Sequence, residues 1–207
     1  MLISSNIVED LWDMHRSGLA LVLYFYFDFN DIEKQSCRAL ISSLLVQLGA
    51  QPGPFCDILS HLYSSHDNGG RQPSDLCLMR CLTKMLSLKG QGTIYILIDA
   101  LDECPDKPDM PSPREEVLKV IEKLVSLRLQ KNQNLRLCIT SRPEVDIRNA
   151  LEPLTSHPVS LHEERGQKED IADYIESVVL SDTRMQKWRD VDKTLVVKTL
   201  SVKADGM

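Results

Sequence analysis

The chain contains 207 residues, a length typical of one domain or of one domain with a helical extension. Hydrophobic residues make up 43% and charged residues 26%, which excludes collagen-like, low-complexity and wholly disordered proteins. Acidic residues outnumber basic residues by 30 to 24, so the net charge of -6 gives no support to electrostatic binding of nucleic acid or of an anionic membrane, and protein or small-molecule partners are expected.

Four segments have the composition of β-strands. The run from Leu19 to Phe29 (LALVLYFYFDF) is β-branched and aromatic with apolar residues on both faces, which predicts a strand buried in a parallel sheet. Further strands are predicted over Thr93 to Ile98, over Leu135 to Thr140 and, more weakly, over Pro158 to Leu161.

Helical periods lie between these segments. Apolar residues spaced three and four apart predict helices over 37–48, 117–125 and 171–178. Asn30 and Glu33 have the spacing of a capping pair before the first of these helices. After Ser181 the pattern is helical to the end of the chain.

The alternation of strands and helices predicts an α/β fold with a largely parallel sheet and right-handed crossovers. In such sheets ligands bind at the carboxyl ends of the strands. We expect this domain to span residues 1–180 and the start of a following helical region to span residues 181–207.

The six cysteines form no Cys-x-x-Cys pair and have no regular spacing, and no signal segment follows Met1. These features predict a reducing, cytoplasmic location. Cys77 and Cys81 share a helix face, but without a second pair we expect packing rather than zinc binding. The longest apolar run, residues 19–27, is shorter than the roughly 20 residues that span a bilayer, so no membrane partner is expected.

The segment from Ile94 to Glu103 (IYILIDALDE) is a predicted buried strand that ends in carboxylates at Asp99, Asp102 and Glu103. In phosphate-handling α/β domains the first such Asp holds Mg²⁺ and a later acidic residue polarises the attacking water. The same pattern is equally compatible with a strand that runs into a solvated acidic turn.

The segment from Leu135 to Pro143 (LRLCITSRP) is a second such strand and is expected to deliver Thr140 and Arg142 to the same sheet edge as Asp99. Arg142 has the chemistry to sense a terminal phosphate. Taken alone, it is better explained as one half of a surface ion pair in the turn before Glu144.

Several segments in this order resemble the NACHT-type P-loop NTPase domain of the STAND class, in its fungal nephrocystin-3-like N-terminal version. The acidic end of the strand and the Thr-Ser-Arg-Pro element together make this resemblance specific. The matching segments are YFYFDFND, YSSHDNGGRQPS, YILIDALDECP, LCITSRPEVDIRNALEP and KADGM.

The resemblance implies a three-layer P-loop fold that acts as a nucleotide-controlled switch in signal transduction, with Mg-ATP or Mg-GTP as the cofactor of the intact family. It makes Asp99 the Walker B metal residue, Asp102 and Glu103 the catalytic acidic pair, and Arg142 the nucleotide-binding sensor. Ala100 stands where many fast ATPases carry a glutamate, which suits a slow switch.

One element of that family is missing from the sequence. A phosphate-cradling loop needs GxxxxGK followed by Ser or Thr, and the nine glycines include no such motif. The segment from Ile3 to Leu11 resembles the helix that follows that loop. We therefore expect the chain to begin after the loop, to lack the first, central strand of the sheet, and to bind no nucleotide and hydrolyse none.

Two functions remain open from the sequence. The first is a fragment of a NACHT-type switch, and the alternative is a non-catalytic interaction module or decoy that binds an intact NACHT relative. By the resemblance, the missing strand would lie beside Leu135 to Thr140 and leave that edge unpaired. Self-association is therefore a further expectation.

Overall fold

The computed structural model describes residues 11–51, 53–107, 112–131, 134–159 and 165–203. The chain divides into two compact units, Met1–Thr155 and Ser156–Met207. The domain boundary expected at residue 180 falls inside the second unit and stays a prediction.

The first unit contains a parallel sheet of three strands in the order β1 (Ala20–Tyr26), β2 (Thr93–Asp99) and β3 (Leu135–Ile139). The α/β class and these three strands are as the sequence predicts. In the fourth predicted strand, residues 158 and 159 are not in a strand, and residues 160 and 161 lie outside the described part of the chain.

Eight helical segments accompany the sheet in the described ranges. The first, α1, includes residues 11–16, and the others are α2 (Cys37–Gly49), α3 (Phe55–Ser65), α4 (Asp75–Leu86), α5 (Pro113–Lys131), α6 (Val145–Leu151), α7 (Arg165–Ser181) and α8 (Asp190–Lys203). Short 3₁₀ turns cover Ile32–Lys34, Asp67–Gly69, Leu101–Glu103 and Glu152–Leu154. None of the helices within these ranges has the length and apolarity needed to cross a membrane.

One face of the sheet forms the core of the first unit. Alternate residues of a strand point to the same face, so this face takes every second side chain from each strand. The sheet residues buried in this core are Leu23, Phe25, Ile94, Ile96, Ile98 and Leu135. The apolar faces of α2, α4 and α5 cover them, with Leu40, Leu44, Leu82, Met85, Ile121 and Leu124 among the fully buried residues.

The start of α2 differs from the sequence-based prediction. Ser36 caps this helix by accepting a hydrogen bond from the backbone N of Ala39 at 3.1 Å. Asp31 caps the preceding 3₁₀ turn instead, accepting from the backbone N of Glu33 at 3.1 Å. The capping pair of Asn30 and Glu33 is therefore wrong, because a separate turn with its own cap precedes the helix.

The second unit is built from α7 and α8, which pack against each other. Residues 182–189 form turns rather than a helix, so the helical prediction after Ser181 is correct only from Asp190 onward. Asp182 accepts from the backbone N of Arg184 at 2.8 Å, a local bond that favours a turn over a continued helix.

Candidate functional site

Polar side chains collect where β2 and β3 end. Asp99 is the last residue of β2, and Thr140 directly follows β3. Asp102 and Glu103 lie in the turn after β2, and Arg142 lies in the turn after β3. Since the strands are parallel, all four predicted site residues lie at the carboxyl edge of the sheet, where ligands of α/β proteins bind.

The Asp99 side chain is buried and hydrogen-bonded to another residue of the protein. Its carboxylate accepts a hydrogen bond from the hydroxyl of Thr140, and only 5% of the residue is exposed. The Thr140 oxygen in turn accepts from the backbone N of Ala100 at 3.1 Å. Asp99 is therefore buried at the end of β2, in contact with the first residue after β3.

The turn after β2 is fixed to β3 by backbone bonds as well. Thr140 donates its backbone N–H to the carbonyl of Ile98 at 2.9 Å, and Leu101 donates to the carbonyl of Thr140 at 3.0 Å. Between them, Ala100 takes the left-handed conformation, with φ of 54° and ψ of 47°. This conformation costs a residue with a Cβ roughly 1–2 kcal/mol, so the surrounding hydrogen bonds hold the turn in place.

Asp102 and Arg142 form the second contact at this edge. The backbone N of Arg142 donates to Asp102 Oδ1 at 2.9 Å, and Arg142 Nε lies 3.4 Å from Asp102 Oδ2. The Asp102 side chain is 10% exposed, whereas the Arg142 side chain is 81% exposed. Arg142 therefore forms its ion pair with Asp102, and most of its guanidinium remains in solvent.

Glu103 has a different partner from the other acidic residues. Its Oε2 accepts from the backbone N of Phe29, in the segment after β1, at 3.1 Å. Asp99 and Asp102 thus bind the segment after β3, and Glu103 binds the segment after β1. Within the described ranges, no group of three or more His, Cys, Asp or Glu side chains is arranged to hold a metal ion.

Arg114, in the first turn of α5, stabilises the turn after β2. The sequence did not lead us to predict this role. The Nε of Arg114 donates to the carbonyl of Cys104 at 2.8 Å, and its Nη2 donates to the carbonyl of Asp102 at 2.7 Å. Its Nη1 lies 3.3 Å from Asp146 Oδ2 in α6. The sequence carries one signal of this role, since a cation is unfavourable in the first turn of a helix and needs another reason to be there.

The negative charge of Asp99 affects its neighbours. Burial raises the pKa of Tyr26, which lies beside Asp99 in the sheet, and the Asp99 carboxylate raises it further. The same two causes, in the same order, raise the pKa of Cys138 on β3. Both side chains are therefore held in their neutral form beside the carboxylate.

Two of the predicted site carboxylates are engaged within the protein. The Asp99 carboxylate is enclosed, and Asp102 is occupied by Arg142. Two cavities, of about 410 and 220 Å³, lie around the loop of residues 88–92, at the opposite end of the sheet from Asp99. Neither cavity is lined by any of the four predicted site residues.

Comparison with known proteins decides the family. Residues 1–142 match the family model described as nephrocystin 3, N-terminal. The chain belongs to the nephrocystin 3 N-terminal family. The match includes all three strands of the nephrocystin 3 N-terminal domain and ends at Arg142, so it covers each of the four predicted site residues. Among curated proteins and solved structures, none matches the chain significantly.

Proposed function

We propose that this nephrocystin 3 N-terminal chain carries the Walker B and sensor part of a NACHT-type signalling switch of the STAND class, without the ability to bind or hydrolyse ATP. The observation that supports the proposal is the placement of Asp99 and Arg142 at one carboxyl edge, joined through Thr140 and Asp102. In a complete switch, this edge would meet the γ-phosphate and its Mg²⁺.

The missing phosphate loop is the reason to expect no nucleotide binding. The sequence contains no GxxxxGK followed by Ser or Thr. Each charge-assisted hydrogen bond to a phosphate contributes about 1.5–3 kcal/mol, so the loss of three costs roughly 4–9 kcal/mol. That deficit lowers the affinity by about 10³ to 10⁶.

The family resemblance gives each site residue a role in a complete switch. Asp99 would face the metal ion, Asp102 and Glu103 would orient the attacking water, and Arg142 would contact the terminal phosphate. In this chain these groups bind Thr140, Phe29 and one another instead. These hydrogen bonds stabilise the turns at this edge.

A chimaera tests whether the edge is a nucleotide site that lacks only its loop. A strand and a GxxxxGK[ST] loop would be joined before Met1 and compared with the unaltered chain. We expect the chimaera to bind Mg-ATP and the added substitution Asp99→Asn to weaken that binding. A folded chimaera that binds no nucleotide, or that binds it equally well with Asp99→Asn, would contradict the proposal.

The second candidate function is a non-catalytic module that binds an intact NACHT relative. The observation that favours it is the mutual satisfaction of the site residues, since Asp99 binds Thr140 and Asp102 binds Arg142. Such an edge would be available to a protein partner without a bound nucleotide. Titration of the purified chain with a purified intact relative, with and without Mg-ATP, separates this function from the first.

A further inference from the structure

The connection between α3 and α4 contains the one asparagine–glycine pair of the chain, Asn68 followed by Gly69. Both residues are exposed to solvent. Asparagine is chemically labile, because the backbone nitrogen of the next residue can attack its side-chain amide carbon. A following glycine favours this attack, since it has no Cβ to hinder the nitrogen. Spontaneous deamidation of the unfolded chain is therefore expected first at Asn68.

Deamidation at this pair requires only water. The Gly69 nitrogen loses its proton and forms a bond to Asn68 Cγ, the Cγ–Nδ2 bond breaks, and ammonia leaves with that proton. The product is a five-membered succinimide ring. Water then opens the ring on either side and gives aspartate or isoaspartate. In both products the amide has become a carboxylate, and nothing has been oxidised or reduced.

The folded turn holds the reacting atoms apart. Asn68 has the left-handed backbone conformation, with φ of 49° and ψ of 42°. At this ψ the Gly69 nitrogen lies across the Cα–C bond from Asn68 Cβ, whereas the succinimide ring needs both atoms on the same side of that bond. Asn68 must therefore leave this conformation before its side chain can react.

Backbone hydrogen bonds keep Asn68 in this conformation. The N–H groups of Gly69 and Arg71 donate to the carbonyl of His66 at 3.2 and 3.1 Å. Gly70 donates to the carbonyl of Asp67 at 2.9 Å. The attacking nitrogen is thus itself engaged as a donor, and these bonds must break before the backbone at Asn68 can rotate.

The ring of Tyr63, in α3, packs on the same turn. A Cβ added at Gly69 would lie 2.7 Å from Tyr63 Cε2, so the ring rests directly on the glycine. Gly69 also has a φ of 89°, a left-handed value that favours glycine. Packing and backbone conformation therefore both require glycine at this position, and the fold retains the labile pair.

We propose that Asn68 is a deamidation site gated by this turn: the closed turn protects the side chain, and each opening allows it to react. The isoaspartate product has an additional main-chain carbon, so the hydrogen bonds of the turn cannot re-form in the same register. Reaction in the open state therefore fixes the turn open. The inference does not depend on the proposed nucleotide switch.

Peptide mass spectrometry of the purified chain in mildly alkaline buffer, folded and in urea, measures the conversion of Asn68. We expect the folded rate to equal the rate in urea multiplied by the opening constant of the turn, because only the open fraction reacts. Hydrogen exchange at the amides of Gly70 and Arg71 measures that constant independently. The exposed Asn30 and Asn149 precede residues other than glycine, and as internal controls they should remain amides over the same time.

Tyr63→Ala removes the ring from Gly69 and should raise the folded rate of deamidation while leaving the rate in urea unchanged. Tyr174→Ala, at an exposed tyrosine of α7, is the matched control and should change neither rate.

Three results would overturn the proposal. The first is deamidation of the folded chain as fast as in urea, or faster than the opening constant allows. The second is an Asn68 that stays unreactive in urea. The third is a Tyr63→Ala chain whose Gly70 and Arg71 amides exchange faster but whose Asn68 reacts no faster.

Discussion

At the residue scale, the carboxyl edge depends on Thr140 more than on any of the charged residues. Its hydroxyl donates to the buried Asp99 and accepts from the backbone N of Ala100. Arg142, in contrast, has a side chain that is 81% exposed. Burial and hydrogen bonding, rather than formal charge, therefore decide which residue stabilises the fold.

Thr140→Val should lower the free energy of unfolding by about 1–3 kcal/mol, because it leaves a buried carboxylate and a backbone N–H without this partner. Thr140→Ser keeps the hydroxyl and should cost less. Arg142→Ala should change stability by no more than about 0.5 kcal/mol, as expected for an exposed ion pair. Urea unfolding that finds the Arg142 change as costly as Thr140→Val would contradict this ranking.

Two buried thiols predict an alkaline limit to stability. Burial raises the pKa of Cys37 and of Cys104 from 9.0 to about 12. A thiol with a raised pKa stabilises the folded state fully below pH 9, and this contribution is lost as the pH rises towards 12. The free energy of unfolding should therefore fall above pH 9, by up to about 1.4 kcal/mol per pH unit for each thiol.

Urea unfolding between pH 7 and pH 11 measures this dependence. The variants Cys37→Ala and Cys104→Ala should each flatten the slope above pH 9, even though each also creates a cavity. Cys56→Ala, at an exposed thiol, is the matched control and should leave the slope unchanged. An equal slope in all three variants would show that other groups set the alkaline limit.

At the scale of elements, Arg114 connects three segments that are distant in sequence. It joins the start of α5 to the turn after β2 and to Asp146 in α6. Only 8% of this residue is exposed. Its substitution would leave two backbone carbonyls and a partly buried carboxylate without their cationic partner.

Arg114→Gln should lower the free energy of unfolding by roughly 2–5 kcal/mol, the range for breaking a buried ion pair and its hydrogen bonds. Hydrogen exchange at the backbone N of Arg142 should accelerate at the same time, because Arg114 holds the Asp102 turn that this amide binds. Lys119→Gln removes an exposed ion pair on the same helix and serves as the control. Equal effects of the two substitutions would refute the role given to Arg114.

The strands and α2 were predictable because local patterns decide them. The apolar runs of β1 and β2 are typical of buried strands. The spacing of apolar residues in α2, by three and four, is typical of a helix with one buried face. The collection of Asp99 and Arg142 at one edge followed from the parallel strands alone. The hydrogen-bond partners of Asp99 and Arg142 could not be predicted from the sequence. Thr140 and Asp102 lie about forty residues away from them in the chain, and only tertiary packing brings each pair together. Arg114 was missed for the same reason.

At the scale of the whole molecule, the family match and the polar edge belong to the first unit. Residues 1–142 carry the match, and they include β1, β2, β3 and the turn that ends at Arg142. On one side of the sheet Gln47 binds the backbone of Tyr24, and on the other side β3 is the last strand in the described part of the chain. The first unit therefore combines an apolar sheet core with a polar carboxyl edge that is hydrogen-bonded within the protein.

The most direct test of the central claim, that the polar edge is satisfied by the protein itself and binds no nucleotide, is isothermal titration calorimetry of the purified 207-residue chain with Mg-ATP and with Mg-GTP. A loss of about 10³ to 10⁶ in affinity predicts no binding heat at micromolar nucleotide. Binding with a micromolar dissociation constant that Asp99→Asn abolishes would contradict the account.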